Sequence, residues 1–173
     1  MLTALHFLTH VGMSWILASL GRRSIKDRWL ITLAGVLPDL DGAGILVSHH
    51  AYDAFHRAAG HGLAFAVLWT ALTLRSADRS RRTAALALAS FHVHLLLDLV
   101  GTGGPPIRYF WPLTNWGLSY AGRWTLASWQ NAVVMSATLI GVLGAGWRTA
   151  RLSRAPERGY GDAGRASGTT SER

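Results

Sequence analysis

Five apolar runs, at 2–20, 29–47, 62–74, 83–100 and 126–147, set the architecture open to this chain. A helix of about 20 residues crosses a hydrocarbon core, and four of the runs approach or reach that length. The third is short, so it is expected to begin earlier, tilt, or re-enter. Half of the chain is hydrophobic and only 15% is charged, a balance that points to a small polytopic membrane protein. The expected fold is therefore an all-α membrane bundle of about five transmembrane helices, forming one domain over 1–150. From 151 to 173 the chain turns to Arg, Gly, Ser, Thr and Ala, which bury too little apolar surface to fold alone. That segment reads as a disordered basic cytoplasmic tail. The first run has no basic n-region and no small-residue cleavage site, and reads as a retained helix.

Charge sorts the loops. Fourteen of the seventeen basic residues lie after the first, third and fifth runs: Arg22, Arg23, Lys26, Arg28; Arg75, Arg79, Arg81, Arg82; and Arg148 onward. Only Arg57, Arg108 and Arg123 occupy the alternate loops. By the positive-inside rule the N-terminus is outside and the C-terminus cytoplasmic. Trp111, Trp116, Trp124 and Trp129 gather around the last outer loop, as an interfacial belt would. The net charge of +8 is interleaved with apolar runs and no recognition helix is evident, so membrane lipid is the expected partner and nucleic acid is not.

Against this background the polar residues stand out. Pro38-Asp39-Leu40-Asp41 interrupts the second run, and ionised Asp in an apolar setting is costly without a partner. Pro38 removes a helix hydrogen bond, so the carboxylates are expected at a break or helix end. His6 and His10 lie one turn apart on the first run, and His94 and Asp98 stand at i, i+4 on the fourth. His49, His50, His56 and His61 fall in or beside the first outer loop. With no cysteine, any metal must be held by His and carboxylate. A divalent ion, zinc before manganese, as one or two ions, suits such a donor set, and a metal-lowered water pKa would give hydrolysis without a serine or cysteine nucleophile. Each feature also has a plainer reading. A membrane histidine makes interhelical hydrogen bonds, Asp-x-Asp caps helices or relays protons, and a loop arginine anchors headgroups. Their convergence on one side of one small bundle favours the site.

The ordered set Thr9-His10, Leu37-Pro38-Asp39-Leu40-Asp41, His56-Arg57 with His61, His94-Leu95-Leu96-Leu97-Asp98 and Trp111-Pro112 resembles the YdjM-like family of inner-membrane, metal-dependent hydrolases. The resemblance implies a multi-pass helical protein of the bacterial inner membrane. It carries site roles onto His10, Asp39, Asp41, His56, Arg57, His61, His94 and Asp98. Two departures from the family pattern matter. Gly60-His61-Gly62 stands where Thr-His-Ser is frequent, and His6 competes with His10 as the first histidine. The ligand order is also similar, more loosely, to that of zinc-dependent phospholipases C, which makes a phosphoester the first substrate class to try.

The resulting expectation is a membrane hydrolase acting on a small-molecule or lipid substrate at the outer face. His10, Asp39, His61, His94 and Asp98 would hold metal. Asp41 would be a bridging ligand or the general base, His56 a ligand or proton donor, and Arg57 the cation that orients an anionic substrate. The alternative is a proton- or ion-coupled transporter or channel using the same intramembrane Asp and His.

Overall fold

The computed structural model describes residues 2–20 and 23–154. Those residues form seven helices and no strand beyond an isolated bridge between Ile107 and Leu118. In chain order they are α1 (Leu2–Ala18), α2 (Ile25–Ala34), a 3-10 helix (Leu37–Leu46), α3 (His49–Phe55), α4 (Leu63–Ser76), α5 (Ser80–Gly101) and α6 (Trp129–Arg154). The all-helical expectation holds. The tail expected from 151 on lies, past Arg154, outside the described residues.

The expected five spans do not. Two helices, Ser80–Gly101 and Trp129–Arg151, are long and apolar enough to cross a membrane. A third span exists if α2 and the 3-10 helix, bent by 54° at their junction, count as one. At about 1.5 Å per residue, the 14 residues of α4 reach only about 21 Å, short of a hydrocarbon core of about 30 Å. The 17-residue α1 is short for the same reason. Apolar composition alone overstated the number of full crossings.

The break in the second run arises locally. α2 starts at Ser24, whose side chain accepts a hydrogen bond from Asp27 N, and ends at Gly35. Pro38 disfavours α-helix at the residue before it, and the chain continues as the tighter 3-10 coil. Gly35 is where three elements meet. A Cβ there would collide with Ser14 Oγ of α1 and come within 2.5 Å of Ser90 Oγ of α5. Such small-residue contacts let membrane helices approach closely.

Helix α5 is the hub, packed against α1, α2 and α4, while α6 lies against α1. One small core cluster joins Ala18, Ile31, Ala34 and Ala87; another joins Ala66, Phe91, Leu95 and Ile107. The outward faces stay apolar, with Val67, Leu68 and Leu72 exposed on α4 and Leu139, Ile140 and Leu143 on α6. At the other end of α5, the fully buried Asp27 accepts from Asp78 N, Arg79 N and Thr83 Oγ1, so a carboxylate from α2 caps the turn that begins α5. With both of its ends anchored, α5 holds His94 and Asp98 on a fixed frame.

Candidate metal centre

Helical spacing puts His94 and Asp98 on the buried face of α5. His94 Nδ1 donates to the Gly35 carbonyl at 3.1 Å, which turns Nε2 inward. The carbonyl is accessible because α2 ends there. His61 arrives from the loop before α4. Gly60 presses directly on the backbone of Pro38, where a Cβ would collide with the Pro38 carbonyl, and this close approach sets the depth of the fully buried His61. His61 Nδ1 donates to Asp41 Oδ2 at 2.8 Å, so its Nε2 also faces the centre. The two Nε2 atoms are 3.1 Å apart.

The 3-10 helix separates its two aspartates. With three residues per turn, positions two apart point roughly 120° from each other. Asp39 Oδ1 turns toward His94 Nε2, at 3.7 Å, and its side chain keeps 25% of its surface exposed. Asp41 turns to the loop instead. Its Oδ2 accepts from Ala58 N and Gly60 N as well as from His61, and its Oδ1 meets His56 Nδ1 at 3.2 Å. Asp41 therefore stands behind His61. Neither it nor His56 brings an atom to the converging group.

Asp98 is the meeting point. Its Oδ2 lies 3.3 Å from His61 Nε2 and accepts from Arg57 at 3.0 Å. Its Oδ1 lies 3.2 Å from His6 Nε2 and 3.2 Å from His10 Nε2. The choice between His6 and His10 was thus not a choice: both rings reach the same oxygen from one face of α1. His10 is nevertheless poorly aligned for a hydrogen bond, and neither of its buried ring nitrogens has a hydrogen-bond partner.

Arg57 is not the exposed loop cation that the sequence suggested. It is 4% exposed, sits at φ 57°, and donates to the Pro105 carbonyl, the Asp98 carbonyl, Asp98 Oδ2 and Thr102 Oγ1. A guanidinium so engaged fixes Asp98 and ties the end of α5 to the loop after it. His49 and His50 are exposed at the start of α3, and His92 bonds the Leu88 carbonyl and Tyr109 on the outer side of α5, so none of the three joins the centre.

Two groups result, each with ligand atoms lying within 4.8 Å of one another: Asp39, His61, His94 and Asp98; and His6, His10 and Asp98. Either could hold a metal ion. The chemistry of the first group suits a cation. Both Nδ1 atoms are donors, so in the neutral rings both Nε2 atoms carry lone pairs. Two lone pairs and two carboxylates facing one space repel unless a proton or a cation lies among them. In the metal-free protein His61 supplies the proton. Burial opposes its charge, but the hydrogen bonds and charges of Asp41 and Asp98 prevail and raise its pKa to about 9.

Beside the centre, Tyr52 stacks on His56, with ring centroids 4.4 Å apart. Both line a cavity of about 420 Å³ that also touches Asp53, Pro105, Pro106 and Arg108. Half-buried His56 thus links Asp41 to a cleft at the surface.

A family model described as YdjM inner membrane protein matches residues 1–157. The chain belongs to the YdjM inner membrane protein family. Comparison with curated proteins and with solved structures finds no match. Membership makes this an inner-membrane protein, in keeping with the apolar outer faces of α4 and α6.

Proposed function

We propose that this YdjM-family chain is a metal-dependent hydrolase, with a phosphoester, free or in a lipid headgroup, as its substrate class. One observation carries the reading: His61 Nε2, His94 Nε2 and the Asp39 and Asp98 carboxylates converge as possible ligand atoms, and Asp39 alone of the four keeps a partly exposed side chain. These four residues would hold a divalent ion, which would lower the pKa of water and so supply a nucleophile near neutral pH. Zinc suits two imidazoles and two carboxylates, with manganese second.

The remaining roles belong to the chain's own groups. Asp41 holds the His61 ring in one tautomer and makes Nε2 more basic, as a carboxylate behind a ligating histidine does. The Gly35 carbonyl does the same for His94. Asp41 and His56 lead from His61 to the cleft lined by Tyr52, and give a proton a route to the surface. Arg57 holds Asp98 immobile. The charge asymmetry of the loops supports an outer-face position for this end of the bundle, with the N-terminus outside and the C-terminus in the cytoplasm.

The test uses the protein in vesicles of zwitterionic and anionic phospholipid, with bis(p-nitrophenyl) phosphate and with the vesicle lipids themselves. Hydrolysis should stop on chelation, return with zinc or manganese, and be absent from Asp39→Ala. Turnover that persists in excess chelator would refute the reading. A second reading has its own support, the 54° break between α2 and the 3-10 helix, since discontinuous helices build ion sites in transporters. Ion flux in the same vesicles, insensitive to chelator, would favour it.

A further inference from the structure

The metal site proposed above uses four residues, yet a second set of nitrogens stands against the same carboxylate from the opposite side. We propose that the centre takes two divalent ions, with Asp98 as the shared ligand and His6 and His10 of α1 as the ligands of the second. This rests on the metal reading of the first group and adds to it a separate site.

The geometry of Asp98 supports the division. Its two oxygens face different partners: Oδ2 meets His61 and Arg57, while Oδ1 meets His6 and His10 at 3.2 Å each. A carboxylate gripped on one oxygen by a buried guanidinium cannot rotate freely, so Oδ1 stays aimed at α1. The two histidines sit one turn apart on a helix with no acidic residue, and their rings meet edge to face with centroids 4.5 Å apart. His10 also lies against His94, centroid to centroid 4.1 Å, so the second set adjoins the first.

His10 is the decisive residue. It is 1% exposed, it points at Asp98, and neither ring nitrogen finds a hydrogen-bond partner. A buried imidazole kept only for packing would be better replaced by an apolar side chain, because unsatisfied polar groups are costly to bury. A cation beside Nε2 satisfies that nitrogen. His6 separately makes an aligned contact to the same oxygen, so an interhelical hydrogen bond explains His6 but leaves His10 unexplained.

The two sites are unequal. The first offers four side chains, including the whole of Asp39; the second offers two imidazoles and a shared carboxylate. Fewer ligands and less negative charge make the second ion weaker, so the sites fill in order. Two ions sharing a carboxylate are the arrangement with which hydrolytic centres clamp both attacking and leaving oxygens.

The experiment is a Mn²⁺ titration of the purified full chain in detergent, read by bound-metal stoichiometry and by electron paramagnetic resonance. Wild type should bind two ions in two steps, with an exchange-coupled spectrum at saturation. His6→Gln, at a partly exposed position, and His10→Ala should each retain one ion, with the spectrum of an isolated Mn²⁺. Saturation of wild type at one ion, unchanged in both variants, overturns the second site and leaves the first standing. Saturation at zero overturns both. Two uncoupled ions in wild type, or two retained by both variants, place the extra ion elsewhere and overturn the proposal.

Discussion

Replacing Asp41 by Asn separates a ligand from a residue that orients one. Asp41 Oδ2 receives His61 Nδ1 at 2.8 Å and the amides of Ala58 and Gly60 at 3.3 and 3.2 Å. Three donors on one oxygen fix the variant's geometry: the Asn carbonyl must occupy that place, and its NH₂ then faces His56 Nδ1. Shape and the His61 hydrogen bond survive, and only the charge is lost. Removing the partner behind a ligating histidine generally weakens metal binding about 10–100-fold, or about 1.4–2.7 kcal/mol. Competition between Asp41→Asn and a chelating dye for zinc, in detergent, should show that loss with unchanged stoichiometry at saturation. Abolished binding at saturating metal would make Asp41 a direct ligand. Unchanged affinity would mean that it does not act on His61. Either result refutes the placement of Asp41 behind the site.

Other consequences follow from the same geometry. In the metal-free protein His61 is protonated up to about pH 9, above the usual imidazole value, so a metal must displace that proton. Zinc affinity should therefore rise with pH by about tenfold per unit below that value and level off above it; affinity flat from pH 6 to 8 would contradict the assignment. Arg57→Ala leaves Asp98 buried without its guanidinium partner, a change that typically costs about 3–5 kcal/mol. It should lower the melting temperature of the metal-free protein markedly, whereas a substrate-binding arginine would change KM and leave melting unaltered. Gly35→Ala drives a methyl into Ser14 and Ser90 where α1, α2 and α5 meet, with an overpacking cost of about 1–3 kcal/mol. Because the Gly35 carbonyl holds His94, the variant should also lose metal affinity, which parallel melting and zinc titrations would show.

The parts of the site that regular periodicity governs were legible in the sequence. His94 and Asp98, and likewise His6 and His10, share a face because α-helix spacing makes them do so. Pro38 announced the break in the second run. What escaped was decided by tertiary structure. Asp39 and Asp41 look equivalent until the segment is known to be a 3-10 coil, which sends them to different neighbours. Arg57 read as a loop cation because nothing in His56-Arg57 reveals that the loop folds beneath the end of α5 and buries it. The backbone carbonyl of Gly35, which orients His94, has no side-chain signature at all. Five apolar runs suggested five crossings, but helix ends at Ala18 and Ser76 leave two of them short, and the apolar pattern does not mark those ends.

The central claim is that four side chains from α5, the 3-10 helix and the loop before α4 form one metal site. Zinc and manganese content of the purified wild-type chain, set against that of a variant carrying Asp39→Ala and His94→Ala, tests it most directly. Chelatable metal is expected in the wild type, with its loss at the first site in a variant that keeps its helical circular dichroism. A wild-type protein that binds neither zinc nor manganese, even after reconstitution with excess ion, would contradict it.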